Sequence, residues 1–125
     1  MAVLNLLVIR AQQPEKLAAF YSKLGLTFHE EQHGPGPKHF CSSQNGVVFE
    51  IYPLKNPAEG TQNTRIGFLV DSIDNIISSL EDKTRILVPP TNTDKTRPGT
   101  ARFAVLIDPE GHKVELVEGS QARSL

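Results

Sequence analysis

The sequence predicts an α+β fold made of two copies of a strand–helix–strand–strand–strand module. Three observations predict it. Short apolar runs rich in β-branched residues alternate with two amphipathic stripes of helical spacing. The same order of elements occurs in both halves. A polar stretch with proline and glycine, "LKNPAEGTQN" (residues 54–63), separates them. Module one covers about 3–53 and module two about 64–118, within a single domain of 125 residues. Each half alone is too small to bury a sheet face, so the duplication itself argues for one folded unit.

In module one, "VLNLLVIRA" (Val3 to Ala11) is a strand. In "QPEKLAAFYSKLG", Pro14 suits a first helical turn, Glu15 suits the positive end of the helix dipole, and Gly25 suits the stop. Leu17, Phe20, Tyr21 and Leu24 form the apolar stripe of that helix. "LTFHEEQ" is a weak strand and "HGPGPK" a loop. "HFCSSQ" and "VVFEIYP" flank Asn45-Gly46, the pair that favours a tight hairpin. In module two, "TRIGFLVD" is a strand. "SIDNIISSLEDK" is a helix, with Asp71 or Ser72 as cap and Ile73, Ile76, Ile77 and Leu80 as stripe. "RILVPP" is a weak strand broken by Pro89 and Pro90, and "TNTDKTRPGT" (Thr91 to Thr100) is a polar loop. "ARFAVLID" is a strong strand, "PEG" a turn, and "HKVELVEG" the closing strand.

Composition excludes several classes. The net charge of -1 gives no electrostatic case for nucleic acid or an anionic membrane. No apolar stretch approaches membrane-spanning length, and the N-terminus lacks the basic start and cleavage site of a signal peptide. One cysteine, Cys41, rules out an internal disulfide framework and fits a reducing compartment. The expectation is a cytoplasmic globular protein.

Chemistry concentrates in two places. "GVVFEIYP" and "DPEGHKVELVEG" each carry a glutamate, Glu50 and Glu115, at the centre of an apolar strand. Alternation puts Val48, Glu50 and Tyr52 on one face, Lys113, Glu115 and Val117 on one face, and Arg65, Gly67 and Leu69 together. Buried carboxylates need a cation, and arginine's fork suits bridging two of them. Arg65 is therefore expected between Glu50 and Glu115. The plainer alternative places either glutamate at a solvated sheet edge.

"PEKLAAFYSKLGL", "VVFEIYP" and "LIDPEGHKVELVE" resemble the vicinal oxygen chelate superfamily, from about Val3 to Glu118. That group includes glyoxalase I, bleomycin-resistance proteins, fosfomycin-resistance enzymes and extradiol dioxygenases. The resemblance implies that two βαβββ modules form a curled mixed sheet enclosing a cup. It also implies that enzyme members hold a divalent metal there with side chains from the first and last strand of each module. Glu50 and Glu115 match the last-strand positions. The first-strand positions fall on Leu6, beside Asn5 and Leu7, and on Arg65, beside Thr64. Leucine cannot bind a metal, arginine has no lone pair to offer, and two carboxylates without imidazole make a poor transition-metal site. The resemblance with these departures implies a small-molecule-binding protein without a metal, in the manner of the bleomycin-resistance branch and as a homodimer. Its ligand is an unidentified small organic molecule, and the cup is lined by Glu50, Arg65, Glu115, Leu6, Tyr52 and Arg102. The alternative is a glyoxalase-like lyase or isomerase, or a dioxygenase, with Ni, Zn, Mn or Fe on Glu50 and Glu115.

Other polar residues carry plainer expectations. His29, His33 and His39 match no metal-binding spacing and are expected to be solvated. His112, after the "DPEG" turn, is expected to be exposed, and Asp108 to form the turn. Cys41 is expected to be a buried, inert thiol. Arg10 is either a ligand-facing or a surface charge, Phe40 and Phe103 supply aromatic wall, and the Thr91–Thr100 loop is either a lid over the cup or simply mobile.

Overall fold

The computed structural model describes residues 1–92 and 102–118. The chain divides into two compact units, Met1–Thr61 and Gln62–Leu125. Each is a βαβββ module with a four-stranded mixed sheet, as the sequence predicts. In the first, β1 (Leu6–Ala11), α1 (Pro14–Ser22), β2 (His29–Glu31), β3 (His39–Gln44) and β4 (Val47–Pro53) assemble in the order β1-β4-β3-β2. In the second, β5 (Arg65–Leu69), α2 (Ile73–Ser79), β6 (Ile86–Asn92), β7 (Arg102–Ile107) and β8 (Lys113–Glu118) assemble in the order β5-β8-β7-β6. In both sheets the first and last strands of the module pair in parallel, and the remaining pairs are antiparallel.

One face of each sheet is covered by its helix. Helix α1 starts on Pro14, whose missing N–H costs nothing at a first turn. It buries Leu17, Ala18, Phe20 and Tyr21. Tyr21 meets Phe49 of β4 edge-on at 5.1 Å, the geometry that sets a ring's positive edge against a negative face. Phe49 and Ile51 are buried beneath it. Ser72 caps α2 by accepting from the Asn75 amide at 3.2 Å, and Glu118 of β8 accepts from the Ile73 amide at 2.8 Å. Ile73, Ile76 and Leu80 from this helix and its end are buried, as are Val114 and Leu116 of β8. Period-two alternation therefore leaves Glu50 and Glu115 on the face away from the helix in each unit.

The β3–β4 connection is a two-residue turn with Asn45 at φ 48° and Gly46 at φ 89°. Both central residues are left-handed, which matches the twist of the flanking strands. This turn fixes the register Gln44↔Val47 through Cys41↔Glu50.

Several expectations need correction. Pro89 and Pro90 do not break the strand: β6 runs from Ile86 to Asn92. It lies at the sheet edge, and its register with β7 shifts between Ile86 and Val88 and again between Val88 and Thr91. An edge with irregular pairing has places where no ladder donor is needed, so proline is tolerated. Thr91 and Asn92 therefore belong to a strand, while the rest of the expected lid falls at residues 93–100, outside the described residues. Neither glutamate is at a sheet edge, because β4 and β8 are both interior strands. His112 is fully buried rather than exposed. Asp108, also fully buried, does form the turn, and it holds the histidine in place. Its carboxylate accepts from the Glu110 amide at 2.9 Å and the His112 amide at 3.0 Å, and it meets His112 Nδ1 at 2.8 Å. Among the described residues no helix is long and apolar enough to cross a membrane.

Candidate functional site

In module two, Gly67 of β5 stands directly opposite Glu115 of β8. With no side chain there, and nothing within 4 Å of where a Cβ would be, space beside the carboxylate is open. Arg65, two residues earlier on the same face, reaches Glu115 diagonally. Its Nη2 and Nε donate to Glu115 Oε2 at 2.6 and 3.2 Å. The side chains are 54% and 35% exposed, so the pair is solvent-screened and contributes about 0–1 kcal/mol. Its effect is to fix the guanidinium over the strand. On the same module Arg102 donates to Asp74 of α2 at 2.8 Å. That bond holds the Asp74 carboxyl below the usual carboxylate range.

In module one, β1 presents Leu6, Val8 and Arg10 beside Val48, Glu50 and Tyr52 of β4. Leu6 is half exposed. Arg10 lies with its guanidinium 5.1 Å from the centre of the Tyr52 ring, a cation–π contact. Tyr52 in turn stacks on His39 at 4.1 Å with the planes 9° apart. Burial and then the Glu50 charge push the Tyr52 hydroxyl up. Glu50 therefore has a different neighbourhood from Glu115. Its Oε2 is 3.5 Å from His39 Nε2, and Cys41 is its direct partner on β3. The Cys41 thiol is buried, and its pKa is raised by burial first and by Glu31 and Glu50 after it. That is the opposite of what a nucleophile needs.

The histidines expected to be solvated do not share one fate. His29 and His33 are exposed, but His39 is buried. Glu31 of β2 is the direct cross-strand partner of His39. Its Oε1 lies 3.3 Å from His39 Nε2 and 3.4 Å from His33 Nε2, while Oε2 meets His29 Nε2 at 3.0 Å. The hydrogen bond from His29 is the main reason the Glu31 carboxyl titrates below its usual range. Glu31, His33, His39 and Glu50 thus converge, with one ligand atom from each lying within 4.8 Å of the others. Spacing along the chain did not show this group, because the hairpin pairing of β2 with β3 creates it. The Asn45-Gly46 turn was the available signal: counting back from it pairs Cys41 with Glu50 and so puts His39 on the same face.

The chain belongs to the Glyoxalase/Bleomycin resistance protein/Dioxygenase superfamily, whose family model matches residues 3–116. No curated protein sequence matches it. Among solved structures it is similar to TnmS3, described as an antibiotic binding protein from Streptomyces sp. CB03234. The identity is 20%, with 96% of this chain and 98% of that one covered and a TM-score of 0.67. It is also similar to the oxidase ChaP-H2, at 22% identity, with 95% and 94% covered and a TM-score of 0.66. TioX from Micromonospora sp. ML1 matches at 17% identity, with 95% and 100% covered and a TM-score of 0.66. At these identities the likeness is one of fold.

Proposed function

We propose that this protein binds a small organic molecule as a homodimer and that this binding uses no metal. The observation that carries this reading is the Arg65–Glu115 pair. The carboxylate that a metalloenzyme of the family would offer to an ion already accepts a guanidinium of the chain itself. The first-strand faces alongside offer Leu6, Val8 and Arg10, or Arg65, Gly67 and Leu69. None of these is an imidazole or a carboxylate, so the donor set does not fit a transition metal. Fixed charges beside apolar side chains suit the capture of an organic ligand. We assign recognition to Leu6, Glu50 and Tyr52 in module one and to Arg65 and Glu115 in module two; Arg102, expected among them, instead pairs with Asp74 of α2. Exposed Leu6 and Leu69 on the edge strands β1 and β5 are apolar surface for a ligand or a second copy to cover. The antibiotic-binding description of TnmS3 points the same way. A single buried cysteine supports a reducing, cytoplasmic setting.

The test is a thermal-shift screen of natural-product antibiotics and other aromatic small molecules, run on chelator-treated protein, with sedimentation to weigh the assembly. The expected result is a stabilising compound whose effect survives chelation and weakens in R65A. Ligand binding or turnover of a glyoxalase or dioxygenase substrate that appears only with added metal, and disappears in E115Q, would overturn the reading in favour of the metal-dependent enzyme. A concentration-independent monomer would remove the dimer.

A further inference from the structure

We propose that module one carries a site for a first-row divalent metal of the zinc class, formed by Glu31, His33, His39 and Glu50. The residues come from the end of β2, the loop after it, the start of β3 and the middle of β4. Only Glu50 belongs to the first-and-last-strand set discussed above, so this is a different site, contained in one module.

Three observations support it independently. The first is spacing. Ligands at about 2.0–2.2 Å from a tetrahedral zinc are about 3.3–3.6 Å from one another. His39 Nε2 to Glu31 Oε1 is 3.3 Å, His33 Nε2 to Glu31 Oε1 is 3.4 Å, and His39 Nε2 to Glu50 Oε2 is 3.5 Å. Three of the six donor–donor distances thus match the edges of a coordination tetrahedron, and all four donor atoms lie within 4.8 Å of one another.

The second is an orphaned donor atom. His39 is 1% exposed, and its Nε2 is buried with no hydrogen-bond partner. A buried polar nitrogen left in this way is costly unless something fills its lone pair. Here that nitrogen faces two carboxylate oxygens, which are acceptors like itself. A cation at the centre satisfies all three.

The third is the support around the ligands. His39 Nδ1 lies 3.3 Å from the Pro37 carbonyl oxygen. Donation there leaves Nε2 as the unprotonated ring nitrogen, the usual arrangement for a metal-bound imidazole. Tyr52 stacks on the same ring and locks its plane. His29 holds the second oxygen of Glu31, which turns Oε1 toward the cluster. Two imidazoles with two carboxylates favour zinc, nickel or ferrous iron over calcium or magnesium, which prefer all-oxygen shells. With His33 71% exposed, the ion can enter from solvent.

The test is calorimetric titration of untagged, chelator-stripped protein with zinc chloride, followed by cobalt substitution read by visible absorption. The expected result is one ion per chain and the strong d–d bands of tetrahedral cobalt. H33Q, at an exposed loop position where folding is insensitive, should weaken binding by more than the roughly tenfold lower bound for losing an outer-shell partner. H39Q and E31Q should abolish the cobalt bands, whereas E30Q, on a carboxylate facing Lys38 instead, should leave them unchanged. Unchanged affinity in H33Q, or affinity that falls in E115Q instead, would overturn the site. So would absence of binding at tens of micromolar zinc. None of these outcomes depends on the organic ligand proposed above.

Discussion

The Asp108–His112 turn gives the sharpest prediction about stability. Both side chains are fully buried. The Asp108 carboxylate receives two backbone amides and one imidazole nitrogen, at 2.8–3.1 Å. The Asp108 amide closes the same loop by donating to the His112 carbonyl at 3.0 Å. D108A strips the carboxylate from three donors at once. Two of them belong to His112, which has no route to water. Breaking a buried charged pair costs about 3–5 kcal/mol, and individual bonds to a charged acceptor are worth about 1.5–3 kcal/mol. The expected loss is therefore about 3–5 kcal/mol. For a chain of 125 residues that is a fall in Tm of about 10–20 °C. D108N keeps an acceptor for the amides but turns an N–H toward the imidazole, so its cost should be about 1–3 kcal/mol. H112A leaves Asp108 its amide donors and should cost less than D108A. Urea denaturation of wild type, both alanine variants and the double variant closes the cycle, with a coupling of about 1–3 kcal/mol expected. A D108A loss below about 1 kcal/mol, or single losses that simply add, would refute the claim that one carboxylate holds the turn together.

Two further predictions rest on different physics. G46A places a Cβ at φ 89° with nothing within 4 Å to clash, so its cost is purely conformational, about 1–2 kcal/mol. A midpoint in urea indistinguishable from wild type would mean that the turn is not left-handed at this position. Asp74 is held below its usual pKa by the Arg102 hydrogen bond. A depressed carboxyl stabilises the fold at pH above its unfolded value, and that contribution disappears as pH falls through the folded value. Wild type should therefore lose stability toward acid more steeply than D74N, and added salt should shrink the difference. Superimposable acid limbs in thermal melts from about pH 5 to about pH 2 would refute the pairing.

Much of the fold was legible because its signals are local. Pro14, Ser72, the two helical stripes and Asn45-Gly46 each act within a few residues. Together they set two βαβββ modules and the β3–β4 register. What escaped depended on neighbours distant in sequence. Whether Pro89 and Pro90 end a strand depends on β6 being an edge strand, which only the sheet order decides. Whether His39 and His112 are wet depends on what packs over them, namely Tyr52 and the Asp108 carboxylate. Polarity alone suggested exposure, and the burial of each histidine instead follows from a specific partner.

Setting the two modules in register on their glutamates shows how the same problem was met twice. Val8 then corresponds to Gly67, Leu6 to Arg65, Arg10 to Leu69, Cys41 to Val105 and His39 to Phe103. Each sheet has a carboxylate in the middle of an interior strand, where it needs positive charge or a donor. In module two that partner comes from the first strand: Arg65 reaches diagonally across the gap left by Gly67, and the β7 position diagonal to Glu115 is an apolar Phe103. In module one the first strand gives only Leu6 and Val8, and Arg10 is engaged with Tyr52. The nearest nitrogen comes instead from the third strand, with His39 Nε2 3.5 Å from Glu50 Oε2, and Glu31 and His33 lie beside it. An arginine closes its site with a permanent charge and leaves no lone pair for a metal. An imidazole that donates through Nδ1, as His39 does to the Pro37 carbonyl, offers Nε2 to the proposed ion. The duplicated strand glutamate has thus been turned to two chemistries, a guanidinium clamp in one module and a ligand cluster in the other, and the choice follows from which neighbouring strand supplies the nitrogen.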